Sequence, residues 1–171
     1  MITWILYRKK FEKEISTISR ENKITYRVWK PSLFNIRPNG IKLSLILPWL
    51  VYTCLPLFTA RVFKIYLVYD QGKLVHYSFL FGRSYKFPFI QNNDIFLGPI
   101  WTSDEFRRKG ISFNIATEII YSFGEKDNYF WWMCDEKNTG SRKLAEKLGF
   151  LQYGKVKRHV SSIWRLVDES S

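Results

Sequence analysis

Three features of the sequence predict a mixed α/β (α+β) fold organised around one central sheet. Short runs rich in β-branched and aromatic residues recur along the chain, two stretches repeat apolar residues at helical spacing, and the two kinds of segment alternate through the second half. At 171 residues the chain suits one domain with a real core and is too short for two ordinary ones. Apolar residues make up 46% and aromatic residues 18%, far from the composition that leaves a chain disordered.

The elements follow in order. MITWILYRKK carries its cations after the apolar run and has no small-residue cleavage site, the wrong order for a signal peptide. ITYRVWK (24–30) reads as a strand stopped by Pro31. Residues 33–58 look helical and irregular, in two short pieces. Within them LSLILPWLVYTCLPLF (43–58) is the most membrane-like segment, but its 16 residues, interrupted by Pro48 and Pro56, fall short of the ~20 that a spanning helix needs. Two buried helical pieces broken at the prolines is the first reading, and a surface-seated apolar flap is the second.

VFKIYLVYD (62–70) and KLVHYSFLFG (73–82) form a hairpin around Asp70-Gln71-Gly72. NDIFLGPIWT (93–102) is a strand with Gly98-Pro99 inside it, and because proline cannot donate to the ladder the strand is expected to bulge or splay there. After RRKGIS (107–112), the four-residue spacing of Ile111, Ile115, Ile119 and Phe123 predicts a helix of about 14 residues. NYFWWMCD (128–135) is a short apolar strand with Trp131 and Trp132 in the core. NTGSRKLAEKLGF (138–150) is a helix with Thr139 as N-cap and Gly149 closing it. GKVKRHVSSIWRLVD (154–168) alternates as one closing strand. The expected total is six to seven strands flanked by about four helices, with no repeat and no linker.

Lys and Arg outnumber Asp and Glu by 27 to 15, a formal +12, which draws anionic partners: nucleic acid, an acidic membrane or a phosphorylated small molecule. The cations are scattered, with no arginine-rich tail, zinc-finger spacing or aromatic RNA-binding signature, so nucleic acid is not expected. Cys54 and Cys134 stand far apart without ligand spacing, which argues against a disulfide framework or a metal site and for a reduced, cytoplasmic setting. RRKGIS itself admits two readings. It is a solvated basic turn, or it is a phosphate cradle made of unpaired amides and a helix dipole, with Gly110 letting a diphosphate approach the backbone.

Two separate stretches resemble the GNAT superfamily of acyl-CoA-dependent N-acetyltransferases. FRRKGIS is similar to its Arg/Gln-x-x-Gly-x-Gly/Ala pyrophosphate loop, with Arg107 and Gly110 matching and Ser112 where Gly or Ala is usual. NTGSRKLAEKLGF is similar to its Asn-x-x-Ala/Ser…Lys-Leu-Gly-Phe helix, in step at Asn138, Ser141, Leu144, Leu148, Gly149 and Phe150. The likeness is specific over 93–153 and topological before it. It implies an acceptor-side half (1–92), an acetyl-CoA-binding core (93–153) and a closing strand and tail (154–171), with the sheet splayed between the fourth and fifth strands.

The resemblance further implies that acetyl-CoA lies in that splay and that an amine attacks its thioester directly. Ile100, Trp101 and Thr102 would pair with the pantetheine arm. Arg107, Arg108, Lys109, Gly110, Ile111 and Ser112 would hold the diphosphate. Asn138 would contact the pantetheine or thioester end, with Ser141 beside it in the motif, although Asn138 also reads as a helix cap. Many members carry a Tyr seven residues after that Asn to protonate the leaving thiolate. Here the position is Ala145, so another group or water serves, or the thiolate leaves as it is, which a thiol of pKa ~8.5 tolerates.

For the base that takes the amine's proton, His76 is the first candidate and Asp94 the second, with Asp135 and Glu105 behind them and His159 last. A structural role for a lone strand histidine is the alternative. Cys134 lacks a His partner and reads as buried filler. VWKPSLFNIRPNG (28–40), the apolar 43–58 segment, YDQGKLVHYSF and FPF…NDIFLGPIWT together resemble acetyltransferase-like proteins of bacterial surface-polysaccharide clusters. That implies an amino-sugar acceptor, phosphorylated or nucleotide-linked. Contact with the inner membrane is compatible with this and not required, and an apolar patch at 43–58 would equally serve a homodimer. The alternatives are acetylation of a protein or peptide amine, a GNAT-fold module that binds CoA or an anion without turnover, and, ranked low for so basic a chain, a polyamine acceptor.

Overall fold

The hairpin forms where the alternation and the turn place it. Strands β3 (Phe63–Asp70) and β4 (Lys73–Phe81) pair antiparallel, and Gln71 and Gly72 between them take φ of 46° and 79°, the left-handed pair that suits a two-residue hairpin loop. β2 (Arg27–Trp29) adds to the outer edge of β3, and β5 (Ile95–Thr102) to the inner edge of β4. β6 (Tyr129–Asp135) then runs parallel to β5. The computed structural model describes residues 3–12, 25–31, 37–54, 62–84, 86–125, 127–158 and 163–167. His159, residue 24 of the first expected strand, residues 33–36 and 55–58 of the expected helical stretch, and residues 159–162 and 168 of the expected closing strand lie outside them.

The largest departure from expectation is β1 (Trp4–Lys10), which the sequence reading did not count as a strand. It lies between β6 and β7 (Leu151–Arg158), antiparallel to both, in an eight-stranded sheet ordered β2-β3-β4-β5-β6-β1-β7-β8 with β8 spanning Trp164–Leu166. Its alternation is genuine: Ile5 and Tyr7 point to one face and Leu6 to the other, each almost fully buried. The trailing Arg8-Lys9-Lys10 disguises it. Lys9 Nζ in fact donates to Leu148 O at 2.7 Å, and Arg8 lies 4.4 Å from the Tyr129 and Tyr153 ring centroids. The expected closing strand is two strands, β7 and β8, and β7 begins directly after the Gly149 turn.

Three α-helices are described: α1 (Leu43–Cys54) on one face of the sheet, α2 (Ile111–Phe123) and α3 (Thr139–Lys147) on the other. α1 is continuous through Pro48, where a break was expected. Burial of Ile46 against the aromatic face of the sheet, where Phe79, Phe81 and Phe96 lie, offsets the hydrogen bond that proline forfeits, a cost of about 3 kcal/mol. No described helix is long and apolar enough to cross a bilayer. α3 is capped by Asn138, not Thr139: Asn138 Oδ1 accepts from Ser141 N at 3.0 Å. Asp94 pins the start of β5 to β6, since its buried carboxylate accepts from Gln91 N, Tyr129 N and Trp131 Nε1 at 3.1, 3.0 and 2.8 Å.

Because β1 is an interior strand, deleting residues 1–10 should abolish the cooperative thermal transition followed by circular dichroism. A cooperative melt within a few degrees of the full chain would contradict the sheet order.

Candidate active site

The site begins where two parallel strands part. β5 and β6 pair only at Ile95↔Phe130, Phe96↔Trp131 and Leu97↔Trp132. Directly after Leu97 come Gly98, at φ 137°, and Pro99, and these two residues together oppose the single Phe79 on β4. Such a bulge turns the strand, and Pro99 has no N–H to offer β6. Beyond it Ile100 to Thr102 stay with β4, while Met133 to Asp135 stay with β1. Among the described residues the facing edges of β5 and β6 have no strand partner along a wedge, although Thr102 O accepts from Arg107 Nε and Asp135 O from Asn138 N. The expected splay lies here, between what are, with β1 counted, the fifth and sixth strands.

The chain leaves β5 through a single 3-10 turn at Asp104–Phe106 and enters α2 through Arg107 to Gly110. Arg108 and Gly110 take φ of 61° and 80°, left-handed turns of the kind found in anion-binding backbone nests. Among the described residues, the amides from Arg108 to Phe113 have no hydrogen-bond acceptor; the first paired one is Asn114 N on Gly110 O at 2.9 Å. A Cβ added at Gly110 would approach only Asn114 Nδ2, at 3.9 Å, so the space over these amides is open. The buried Ser103 Oγ, at the end of β5, also lacks a partner among the described residues. A cluster of unpaired donors at a helix N-terminus, beside an open strand edge, fits a diphosphate joined to a chain of amides, as in coenzyme A.

The loop's cations do different things. Arg107 folds back, its guanidinium 2.7 Å from Asp104 Oδ1 and 3.3 Å from Thr102 O. Lys109 Nζ sits 4.4 Å from the centre of the Phe106 ring. Arg108 is exposed and has no partner among the described residues. Across the wedge, Asn138 spends its Oδ1 on capping α3, while its Nδ2 has no described partner. Ser141 Oγ accepts from Trp132 Nε1 at 3.0 Å, holding the start of α3 on β6.

The structure gathers Ile100, Trp101, Thr102, the 107–112 loop, Asn138 and Ser141 around one wedge, and it separates Asp94 from them. Asp94 precedes β5, eight positions from Thr102, roughly 25 Å at ~3.3 Å per residue. His76 is near the wedge but enclosed. It is fully buried, its Nδ1 is 2.8 Å from Thr102 Oγ1 and its Nε2 is 2.8 Å from Ser78 Oγ. Burial pulls its pKa down to about 4. Cys134 is buried too, and burial pushes its thiol up. Ala145 is fully buried on the sheet-facing side of α3, where Tyr7 of β1 reaches Arg142 and Glu146, one turn before Ala145 and next to it. Among the described residues, no group of three or more His, Cys, Asp or Glu converges as metal ligands would.

Sequence reasoning missed the significance of Trp101 and ranked Asp135 low. By the registers of β5 on β4 and of β6 on β1, Trp101 and Asp135 both fall on the α1 side of the wedge, the face that holds Tyr77 and Met133. Trp101 is 37% exposed and stacks on Tyr77 at 5.5 Å. Asp135 is half-buried, with Oδ1 accepting from Lys137 N at 2.8 Å. The strand period was the available signal: residues alternate faces, so the α1 side had to receive these two if the α2 side received Thr102 and Cys134.

Residues 89–157 match the family model described as GNAT acetyltransferase, a span containing the parted strands, the α2 loop and the α3 cap. Solved structures with the same fold include a conserved protein of unknown function from Staphylococcus epidermidis, 16% identical, TM-score 0.58, covering 90% of this chain and 59% of that one. A GNAT-family protein named as an acetyltransferase from Novosphingobium aromaticivorans is 14% identical, TM-score 0.55, covering 90% and 61%. A GNAT-family acetyltransferase from Colwellia psychrerythraea is 13% identical, TM-score 0.56, covering 89% and 53%. These likenesses establish a GNAT-like fold, and the chain spans between about half and three-fifths of the length of these solved chains. No curated protein matches the chain.

A neutral, buried His76 carries a sign for stability. From pH 6.5 down to about 4 the unfolded chain takes up a proton at this residue that the folded chain refuses, so its cost grows across that window and is constant outside it. Between pH 7 and 5 this amounts to about 2 kcal/mol. Urea unfolding should therefore show a steeper loss over that range for the wild type than for His76→Gln, and identical pH slopes would contradict the neutral buried ring.

Proposed function

We propose that the chain is an acyl-CoA-dependent N-acetyltransferase acting on a small amine, with an amino sugar, phosphorylated or nucleotide-linked, as the acceptor. The observation that carries this reading is the junction of an open wedge between β5 and β6 with the unpaired amides from Arg108 to Phe113. Those amides and Arg108 hold the diphosphate. The free edge at Ile100 to Thr102 takes the pantetheine arm as an added strand, and a wedge-facing amide on it polarises the carbonyl under attack. Asn138 Nδ2 donates from the opposite wall. Acetyl-CoA supplies an acetyl thioester: the amine nitrogen forms a bond to the carbonyl carbon, the C–S bond breaks with coenzyme A leaving as its thiolate, and the proton that the amine gives up balances that charge.

The acceptor enters from the α1 side, opposite α2 and α3. There Trp101 stacked on Tyr77 offers a flat surface suited to a ring, and Asp135 lies on the same side of the other wall, placed to hold the ammonium and accept its proton. We assign His76 and Asp94 to supporting roles, because both are buried with their polar atoms engaged. The excess of cations suits an acceptor that bears phosphate, in keeping with a cytoplasmic role in bacterial surface-polysaccharide synthesis. Ala145 favours a second reading, in which the same wedge binds CoA without turning it over.

Acetyl-CoA at about 100 times its dissociation constant should add roughly 2.7 kcal/mol of stability, seen as a raised Tm. Gly110→Asp should remove that rise, since it sets a carboxylate against the diphosphate. An unchanged wild-type Tm at saturation contradicts the proposal, and stabilisation without thiol release from any amine selects the second reading. In a thiol-release screen across nucleotide-linked amino sugars, free amino sugars, peptides and polyamines, Trp101→Ala should raise the acceptor KM about tenfold with little change in kcat. Asp135→Asn should lower kcat by about a hundredfold. Peptides as the best acceptors would overturn the sugar assignment.

A further inference from the structure

Four side chains run in a line from the middle of the sheet to the anion cradle. Ser78 Oγ lies 2.8 Å from His76 Nε2, His76 Nδ1 lies 2.8 Å from Thr102 Oγ1, and Thr102 Oγ1 lies 2.9 Å from Ser112 Oγ. They belong to β4, β5 and the first turn of α2. Ser78 and His76 are fully buried, while Ser112 is half-buried. We propose that this is a one-way hydrogen-bond relay, with His76 as a positioning residue held in its Nδ1–H tautomer so that Ser112 turns its hydroxyl proton outward to a phosphate at the α2 cradle. It deepens the acetyltransferase reading and rests on it for the identity of the ligand.

The direction follows from counting donors. A neutral imidazole has one N–H and one lone pair, and each hydroxyl has one proton and two lone pairs. An arrangement in which Nδ1–H and Ser112 O–H both donate to Thr102 Oγ1 leaves the Thr102 proton with no acceptor among the described residues. The line therefore has two directions that use the Thr102 proton. In the first, Ser78 O–H donates to Nε2, Nδ1–H to Thr102 Oγ1 and Thr102 O–H to Ser112 Oγ, which leaves the Ser112 proton for an acceptor beyond the line. In the second, every bond is reversed and Ser78 keeps the surplus proton. Ser78 Oγ has no partner besides His76 among the described residues, and stranding a buried donor is unfavourable. The second direction therefore buries an unmet donor, and the first brings it out at a half-buried helix end. There the Ser112 amide is also unpaired, so one residue offers a phosphate oxygen both an N–H and an O–H. The low pKa of His76 keeps the ring neutral and the direction defined at ordinary pH.

The direct test is the tautomer of His76 in the free protein, read from the imidazole nitrogen and proton resonances by NMR, followed by calorimetric titration with coenzyme A. The expected result is Nδ1–H with Nε2 accepting. Coenzyme A affinity should fall about tenfold in Ser112→Ala and about threefold in Thr102→Val, and be kept in Thr102→Ser, which retains the hydroxyl. Ser112→Ala lies on the half-buried first turn and keeps the measurement open should Thr102→Val fail to fold. An Nε2–H tautomer, or a Ser112→Ala variant that binds coenzyme A as tightly as wild type, overturns the relay and leaves the wider reading standing. Wild-type protein that binds no coenzyme A overturns that reading and the relay's ligand with it.

Discussion

The site depends on one shortage of hydrogen bonds. Parallel neighbours in the middle of a sheet normally satisfy each other along their whole length, because an unpaired backbone group away from water is expensive. Here Gly98 and Pro99 end that pairing after three residue pairs. Each strand is then kept extended by its outer neighbour: β4 holds Ile100 to Thr102, and β1 holds Met133 to Asp135. The wedge is thus a rigid opening between two supported edges, and its unmet donors and acceptors are what a ligand carrying amides can satisfy. The start of α2 adds charge to the same opening, with its own unmet amides meeting the end of the wedge at Thr102 and Ser112.

The support on the β6 side explains why the first strand of the chain lies in the interior. Without β1 the end of β6 would have no partner on either side, and the wedge would have only one firm wall. Tyr7 extends this bracing to α3, reaching Arg142 and Glu146 from beneath, and Lys9 reaches the carbonyl of Leu148. The small Ala145, fully buried between those contacts, belongs to the same packing. A larger side chain there would meet a close-packed layer, where added volume is usually destabilising.

Much of this was legible in the sequence wherever the signal was local. The hairpin turn, the proline inside β5, the apolar stripe of α2 and the Gly149 stop each act within a few residues, and each appears where expected. What did not transfer were properties created by distant partners. β1 was hidden because its three trailing cations look like solvent-facing residues, yet Lys9 is used against Leu148 and Arg8 against the Tyr129 and Tyr153 rings. Pro48 looked like a break because propensity says nothing about how deeply Ile46 is buried. His76 and Asp94 were titratable side chains of the right types, and the sequence does not say that both are buried with their polar atoms engaged. Trp101 and Asp135, by contrast, became conspicuous once the registers of β5 on β4 and of β6 on β1 put both on the α1 side of the wedge.

Residue-resolved amide hydrogen exchange, with and without coenzyme A, tests the central claim most directly. Wedge-facing amides in Ile100 to Thr102 and in Met133 to Asp135, together with those from Arg108 to Phe113, should exchange quickly in the free protein while Ile95 to Leu97 stay protected. Coenzyme A should then slow the β5 edge and the α2 start together. Slow exchange along both facing edges before any ligand is added would mean that β5 and β6 pair to their ends, and the account would fail.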